Sequence, residues 1–113
     1  MEILFKDNQI RKICNRYHIA VRRWGEENAR LLRKRMDEIR DSENLAVLMS
    51  IPPARCHPLK GSMKGKYSVD LKHPYRLIFA PAHDPLPELP NGGLDCRRVT
   101  IVKILGKEDT HGN

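Results

Sequence analysis

Between Arg55 and Phe79, the sequence concentrates side chains whose chemistry suits a phosphate group. This stretch reads RCHPLKGSMKGKYSVDLKHPYRLIF and includes two histidines, several lysines and the glycines Gly61 and Gly65. Histidine exchanges protons near neutral pH, and lysine and arginine bind phosphate oxygens. Segments with the alternating pattern of strands flank the lysine-rich part. The sequence therefore predicts a small sheet with a basic, titratable loop that handles a phosphate backbone.

Each of these residues is also compatible with a structural role. His57 precedes a proline at a predicted strand end, where an ordinary surface histidine is equally expected. Arg76 alternates with the apolar Tyr75, Leu77 and Phe79, which fits a structural salt bridge as well as phosphate binding. The lysines around Gly61 could simply keep a hairpin soluble. Residue types alone leave both interpretations open.

The overall charge narrows the class of partner. The net charge is +7 and the sequence pI is about 9.6, which favours nucleic acid, an anionic membrane or an acidic protein over a neutral ligand. A basic surface that only maintains solubility is the simpler alternative. No apolar run approaches the roughly 20 residues of a membrane helix, and the first residues lack the apolar core of a signal peptide. We therefore expect a cytoplasmic protein without a membrane partner.

At 113 residues, the chain is expected to form a single domain, 1–113, with a modest core. Its three cysteines, Cys14, Cys56 and Cys96, are widely spaced and form no CxxC pair. A metal site can be drawn on paper from Cys56, His57, His83 and Cys96, but reduced, partly buried cysteines fit the spacing better. We expect no metal.

The first half of the chain predicts a strand and then helices. Met1–Lys6 alternates like a strand and could lie at a sheet edge. Asp7 or Asn8 is a suitable cap for a short helix that ends near Asn15 or Arg16. Tyr17–Trp24 is ambiguous between an extension of that helix and a connection. From Gly25 onwards, apolar residues recur at three- and four-residue steps as one helix stripe: Ala29, Leu32, Met36 and Ile39. Ser42 is expected to cap a third helix, Glu43–Met49.

The second half predicts strands. The expected strands are 54–59, 66–71, 75–80 and 99–105, and a long exposed loop is expected at 81–98. Tyr67 and Tyr75 alternate with apolar residues and are expected in the core. The order of elements predicts an α+β fold with N-terminal helices packed on one face of a small twisted, mainly antiparallel β-sheet. The opposite face is expected to be open for a ligand.

Several ordered motifs resemble one known family. They are HPLKG at 57–61, Gly65 with YSV at 67–69, YRLIF at 75–79, and Glu108-Asp109 followed by His111. Together they are similar to the killer-protein branch of the RelE/HigB toxin superfamily, and the similarity covers nearly the whole chain apart from the 81–98 loop. The resemblance implies a RelE/ParE-like fold.

The resemblance also implies a function. Members of this family are cytoplasmic toxins of type II toxin–antitoxin systems, which cleave messenger RNA at the A site of the translating ribosome without a metal or other cofactor. A helix-turn-helix antitoxin neutralises them. By this likeness, the chain is expected to be an endoribonuclease in which a 2′-OH attacks the scissile phosphate.

The resemblance assigns roles to individual residues. His57 and His111 would share the two proton transfers, with the order left open, and Asp109 would orient a histidine or take part in proton transfer. Arg76 would hold two phosphate oxygens, with Lys60 as a point charge beside it. The expected catalytic residues are His57, Lys60, Arg76, Asp109 and His111, and the expected RNA-binding residues are Lys60, Lys64, Lys66, Lys72 and Thr110.

Thr110 departs from the family pattern, in which the terminal motif commonly reads Asp-Tyr-His. A threonine cannot stack on a base, and its hydroxyl is a much weaker acid than a phenol. Two alternatives to an active toxin therefore stay open. One is a toxin-like module that binds RNA, the ribosome or an antitoxin with weakened or no cleavage, and the other is a nucleic-acid-binding protein that uses charge alone.

Overall fold

The computed structural model describes residues 1–110, in which one strand is followed by four helices and then by four more strands, in the order that the sequence predicts. The first half contains β1 (Glu2–Phe5), α1 (Asn8–Asn15), α2 (Tyr17–Trp24), α3 (Glu26–Asp41) and α4 (Leu45–Met49). The second half contains β2 (His57–Pro58), β3 (Tyr67–Asp70), β4 (Tyr75–Pro81) and β5 (Ile101–Asp109). None of the helices in this part of the chain is long and apolar enough to cross a membrane.

Local capping chemistry sets the boundaries of the first three helices. The Asp7 carboxylate accepts a hydrogen bond from the Ile10 N–H (2.9 Å), which confirms the predicted start of α1. The ambiguous segment Tyr17–Trp24 is a separate helix, because Arg16 is extended and interrupts the helical backbone. Gly25 separates α2 from α3 with φ 88°, a value that glycine adopts without the steric cost paid by other residues.

The predicted cap of the fourth helix is wrong. Ser42 closes α3 instead, because its hydroxyl donates to the Glu38 carbonyl (2.7 Å). The Asn44 side chain accepts from the Val47 N–H (3.0 Å) and caps α4, so this helix begins two residues later than predicted. Ser42 and Asn44 are both residue types that cap helices, and the side-chain hydrogen bonds decide which of them caps α4.

The sheet is mixed, with strand order β1-β5-β4-β3-β2. β1 lies at an edge, as predicted, and runs parallel to β5, while the other three pairs are antiparallel. The predicted strand at 54–59 is reduced to two residues because a 3₁₀ turn occupies Pro52–Ala54. The α+β class with a mainly antiparallel sheet is thus confirmed.

The helices cover one face of the sheet. Leu32, Met36 and Ile39 of α3 are buried in the same cluster as Val69, Leu77 and Phe79 of the sheet, which confirms the predicted helix stripe. On the opposite face, Ser68 and Ile78 are also fully buried. The face expected to be open is therefore covered at Ser68 and Ile78, partly exposed at His57 and Arg76, and exposed at Leu4 and Lys103.

The segment from 82 to 100 connects β4 to β5 mainly as loop, as predicted. Within it lie an isolated bridge between Glu88 and Leu94 and a 3₁₀ turn at Cys96–Arg98. β5 then passes between β1 and β4, which confirms the predicted central strand. It continues to Asp109, four residues beyond the predicted end at Leu105.

Candidate active site around His57 and Arg76

His57 and Arg76 meet on the face of the sheet away from the helices. In the register, His57 pairs with Ser68 and Ser68 pairs with Ile78, so these three side chains share that face. Arg76 precedes Ile78 by two residues and therefore projects from the same face. Its Nη1 lies 2.8 Å from Nε2 of His57. Two of the residues predicted for catalysis are thus in direct contact.

The hydrogen bonds of His57 define its tautomer. An arginine guanidinium only donates, so the Nε2 atom of His57 must accept from Arg76. The Nδ1 atom, 3.0 Å from the carbonyl oxygen of Arg55, is then the protonated nitrogen and donates to that oxygen. Arg55 has φ 48°, a left-handed conformation uncommon for a residue other than glycine. His57 consequently presents a basic Nε2 lone pair towards Arg76.

Asp70 is a member of the site that the sequence analysis missed. Its Oδ1 lies 3.7 Å from Nε of Arg76, and its Oδ2 lies 3.2 Å from Nε of Arg55. The carboxylate therefore joins the two arginines that contact the two nitrogens of His57. Asp70 pairs directly with Arg76 across the β3–β4 hairpin. A hairpin centred on His73 places residues 70 and 76 opposite each other, which is the signal that could have found Asp70.

Arg35 of α3 attaches the end of β3 to the helix layer. It is only 6% exposed, and its Nε donates to the backbone carbonyl of Asp70 (2.8 Å). Its Nη1 forms an ion pair with Glu38 one turn further along α3 (2.5 Å). This contact fixes the backbone of Asp70 while leaving its carboxylate to Arg55 and Arg76.

The predicted RNA-binding lysines occupy different surroundings. Lys60 and Lys64 are exposed in the connection that follows His57, and Lys66 is half-buried just before β3. Lys72, in the turn between β3 and β4, forms an ion pair with Glu27 of α3 (2.9 Å). The structure therefore puts Lys60 and Lys64 on an exposed segment next to His57, whereas Lys72 also bridges the sheet to a helix.

The C-terminal motif is only partly brought to the site. Asp109 pairs with Tyr75 in the register, while Glu108 pairs with Arg76. Alternation along β5 puts Asp109 on the face opposite Arg76. Thr110 is 5% exposed and its hydroxyl is buried. Its side chain is therefore not accessible for the predicted contact with RNA. His111 lies outside the described residues.

The two tyrosines near the site differ in their surroundings. Tyr67 is buried as predicted, and burial, followed by the nearby Cys96, raises the pKa of its phenol to about 12. The prediction that Tyr75 lies in the core is wrong, because Tyr75 is 38% exposed. It begins β4, and the ammonium of Lys107 lies 3.8 Å from its ring centre. Because of its raised pKa, Tyr67 is a poor proton donor.

The side chains considered for a metal site have other contacts. The Nε2 atom of His83 accepts from the backbone N–H groups of Thr100 (2.9 Å) and Ile101 (3.2 Å), so it supports the start of β5. Cys96 lies 4.0 Å from the hydroxyl of Tyr67. Within residues 1–110, no group of three or more His, Cys, Asp or Glu side chains could hold a metal ion.

The chain was also compared with known proteins. No model of a protein family matches it, and no curated protein matches it significantly. A function for this chain therefore depends on the residues around His57 and Arg76, on the distribution of charge, and on the resemblance carried by its motifs.

Proposed function

We propose that this chain is a RelE/HigB-like toxin of a type II toxin–antitoxin system that acts in the cytoplasm as a ribosome-dependent endoribonuclease. The single observation that carries the proposal is the 2.8 Å contact between His57 and Arg76 on a partly exposed face of a basic α+β domain. A proton acceptor beside a phosphate-binding group is the minimum that metal-free cleavage of RNA requires.

The proposed reaction is an attack of the 2′-oxygen of RNA on the adjacent phosphorus. His57 accepts the 2′-OH proton at Nε2, the bond from phosphorus to the 5′-oxygen breaks, and a 2′,3′-cyclic phosphate and a 5′-OH end result. The proton for the leaving 5′-oxygen comes from a second acid, for which His111 is the candidate by resemblance. Lys60 supplies positive charge near the phosphate.

In this mechanism, Arg76 leaves one partner, His57, and binds another, the phosphate. Without RNA, its guanidinium donates to the lone pair of His57 that must accept the proton. When the guanidinium turns to the phosphate oxygens, it releases Nε2 and meets the charge that grows on the phosphate in the transition state. One preorganised donor of this kind contributes about 3 kcal/mol.

The distribution of charge also supports an RNA partner. Between Asn8 and Trp24 the sequence contains no Asp or Glu, and this segment, which spans α1, Arg16 and α2, exposes Arg11, Lys12, Arg16, Arg22 and Arg23. A cationic surface of this kind attracts a phosphate backbone irrespective of its sequence. We propose that it contributes to docking on the ribosome. An antitoxin with a helix-turn-helix domain is the second proposed partner.

The proposal is tested by mapping the 5′ ends of cellular messages after brief induction of the chain. New ends should accumulate within translated regions, and growth should stop. His57→Ala and Arg76→Ala should abolish both effects, whereas His18→Ala, which changes an exposed histidine of α2, should abolish neither. If the His57 and Arg76 variants cleave and arrest growth like the parent, the proposed site is wrong.

One observation favours a second candidate, a toxin-like binding module with little or no cleavage. Thr110 is buried at the position where the family commonly carries a tyrosine, and Tyr67 is a poor substitute because burial raises its pKa to about 12. Such a module would bind the ribosome or its antitoxin through the cationic surface. Detection of cleaved messages with the unmodified chain, lost in His57→Ala, excludes this candidate.

A further inference from the structure

The outer edge of β1 has backbone groups that no strand of residues 1–110 pairs with. β1 ends the strand order, next to β5. The N–H groups of Glu2 and Lys6 donate to Thr100 and Ile104 (2.9 Å each), so the even-numbered residues direct their backbone towards β5. In an extended strand the odd-numbered residues then direct theirs away. Ile3 and Phe5 consequently present N–H and C=O groups at the free edge.

The outer face of the sheet next to this edge is exposed and partly apolar. Leu4 is 38% exposed, an unusual degree for a leucine in a strand centre. An open groove of about 600 Å³ runs beside β1, between the strand, the start of α1 and Lys103. Free edges of this kind pair readily with another strand unless charge, proline or a covering element prevents it. Glu2 is the only charged residue of β1, and Lys6, which follows the strand directly, has the opposite sign.

The sequence of β1 is complementary to itself in one antiparallel register. With Leu4 opposite Leu4 of a second copy, Ile3 lies opposite Phe5, and their outward backbone groups form hydrogen-bonded pairs. In the same register, Glu2 lies opposite Lys6 at both ends. A shift by two residues loses both ion pairs, and a parallel arrangement puts Glu2 beside Glu2. Like charges directly opposite each other destabilise a strand pair.

We propose that the chain forms a two-fold symmetric homodimer by antiparallel pairing of β1 with β1 of a second copy. The two five-stranded sheets would join into one of ten strands, with both helix layers on the same face. His57 lies in β2 at the opposite edge of the sheet, so both copies keep this site accessible. The contact is small and is expected to be dynamic rather than permanent. This inference does not depend on the proposed enzymatic function.

The test measures the mass of the purified chain by analytical ultracentrifugation over a range of concentrations. The parent should rise from 13.1 kDa towards twice that mass. Glu2→Lys and Lys6→Glu should each weaken the dimer by at least about tenfold, because each puts like charges opposite one another. Both residues are exposed, so circular dichroism should show unchanged folding. Glu88→Lys, the same charge change at an exposed loop position, should leave the dimer intact.

The proposed register predicts a result that is not expected if the dimer forms through another surface. An equimolar mixture of the Glu2→Lys chain and the Lys6→Glu chain should form a heterodimer, since one cationic strand then faces one anionic strand. The double variant Glu2→Lys/Lys6→Glu should dimerise like the parent. A parent that stays at 13.1 kDa up to about millimolar concentration overturns the proposal, as does a Glu2→Lys chain that dimerises like the parent.

Discussion

Both ring nitrogens of His57 are engaged, and this restricts what the residue can do. Its Nδ1 donates to the Arg55 carbonyl and its Nε2 accepts from Arg76. A histidine held in this tautomer acts as a base through Nε2 only after Arg76 moves away. In the proposed reaction, the incoming phosphate is the group that draws Arg76 away and releases this base. Asp70 limits how far Arg76 can move, because it lies 3.7 Å from the Nε atom of Arg76.

Asp70→Asn tests this positioning role. The amide keeps the shape of the side chain but removes the charge that attracts Arg55 and Arg76. We expect the rate of RNA cleavage to fall about fivefold, because a partly exposed ion pair contributes about 1 kcal/mol. Measured under saturating conditions, the loss should lie in kcat rather than in KM. Asp95→Asn, in the loop before β5, is a matched control and should leave the rate unchanged.

The contact between α3 and β3 shows how one element positions another. Arg35 is buried at 6% exposure and joins the Asp70 backbone to Glu38. Asn28 of the same helix accepts from the Lys72 N–H (2.9 Å), and the Lys72 side chain pairs with Glu27. α3 therefore holds the β3–β4 hairpin at three points, and this hairpin carries both Asp70 and Arg76.

Arg35→Ala is expected to destabilise the fold. It removes one partner of a buried pair and leaves the Asp70 carbonyl and Glu38 without their donor, which costs about 3 kcal/mol. Denaturant unfolding should show a lower midpoint with an unchanged slope. Lys34→Ala, at an exposed position of the same helix, should change the stability little. Equal stability of the two variants would contradict the anchoring role of Arg35.

Regular elements could be predicted from the sequence because their patterns are local. The apolar stripe of α3 and the alternation around Val69 depend only on neighbouring residues, and both are confirmed. The exposure of Tyr75 could not be predicted in this way, because it depends on how far the helix layer extends over the start of β4. The contact between His57 and Arg76 was expected only through the resemblance, and Asp70 required the hairpin register.

On the scale of the whole molecule, different surfaces differ in their charge. α1 and α2 carry a cationic surface without acidic residues, while the edge of β1 carries one charge of each sign. The His57 site lies at the other end of the sheet from β1. RNA docking, catalysis and self-association are therefore proposed for distinct parts of one small fold.

Stability of the whole molecule should decrease in alkaline solution. Burial raises the pKa of Cys14 and Cys56 from 9.0 to about 12, and burial likewise raises the pKa of Tyr67 to about 12. These groups bind their protons more tightly when folded, so their stabilising effect is complete below pH 9 and is lost as pH rises towards 12. The free energy of unfolding, measured at intervals from pH 7 to 11, should fall above pH 9.

Replacement of the cysteines provides the control for the alkaline prediction. A Cys14→Ala/Cys56→Ala variant is less stable at neutral pH because it loses buried volume, but its stability should fall less steeply above pH 9. An identical pH dependence in the parent and the variant would show that these thiols are not shielded from solvent.

The central claim is that His57 and Arg76 act together on one phosphodiester. Its most direct test is the single-turnover rate of cleavage of a ribosome-bound message by the parent, His57→Ala, Arg76→Ala and the double variant. We predict that each single change slows cleavage by at least about 100-fold. The double variant should be only slightly slower than the slower single variant, because the two side chains work as a unit. Single variants that cleave at the parental rate, or losses that multiply in the double variant, would contradict the claim.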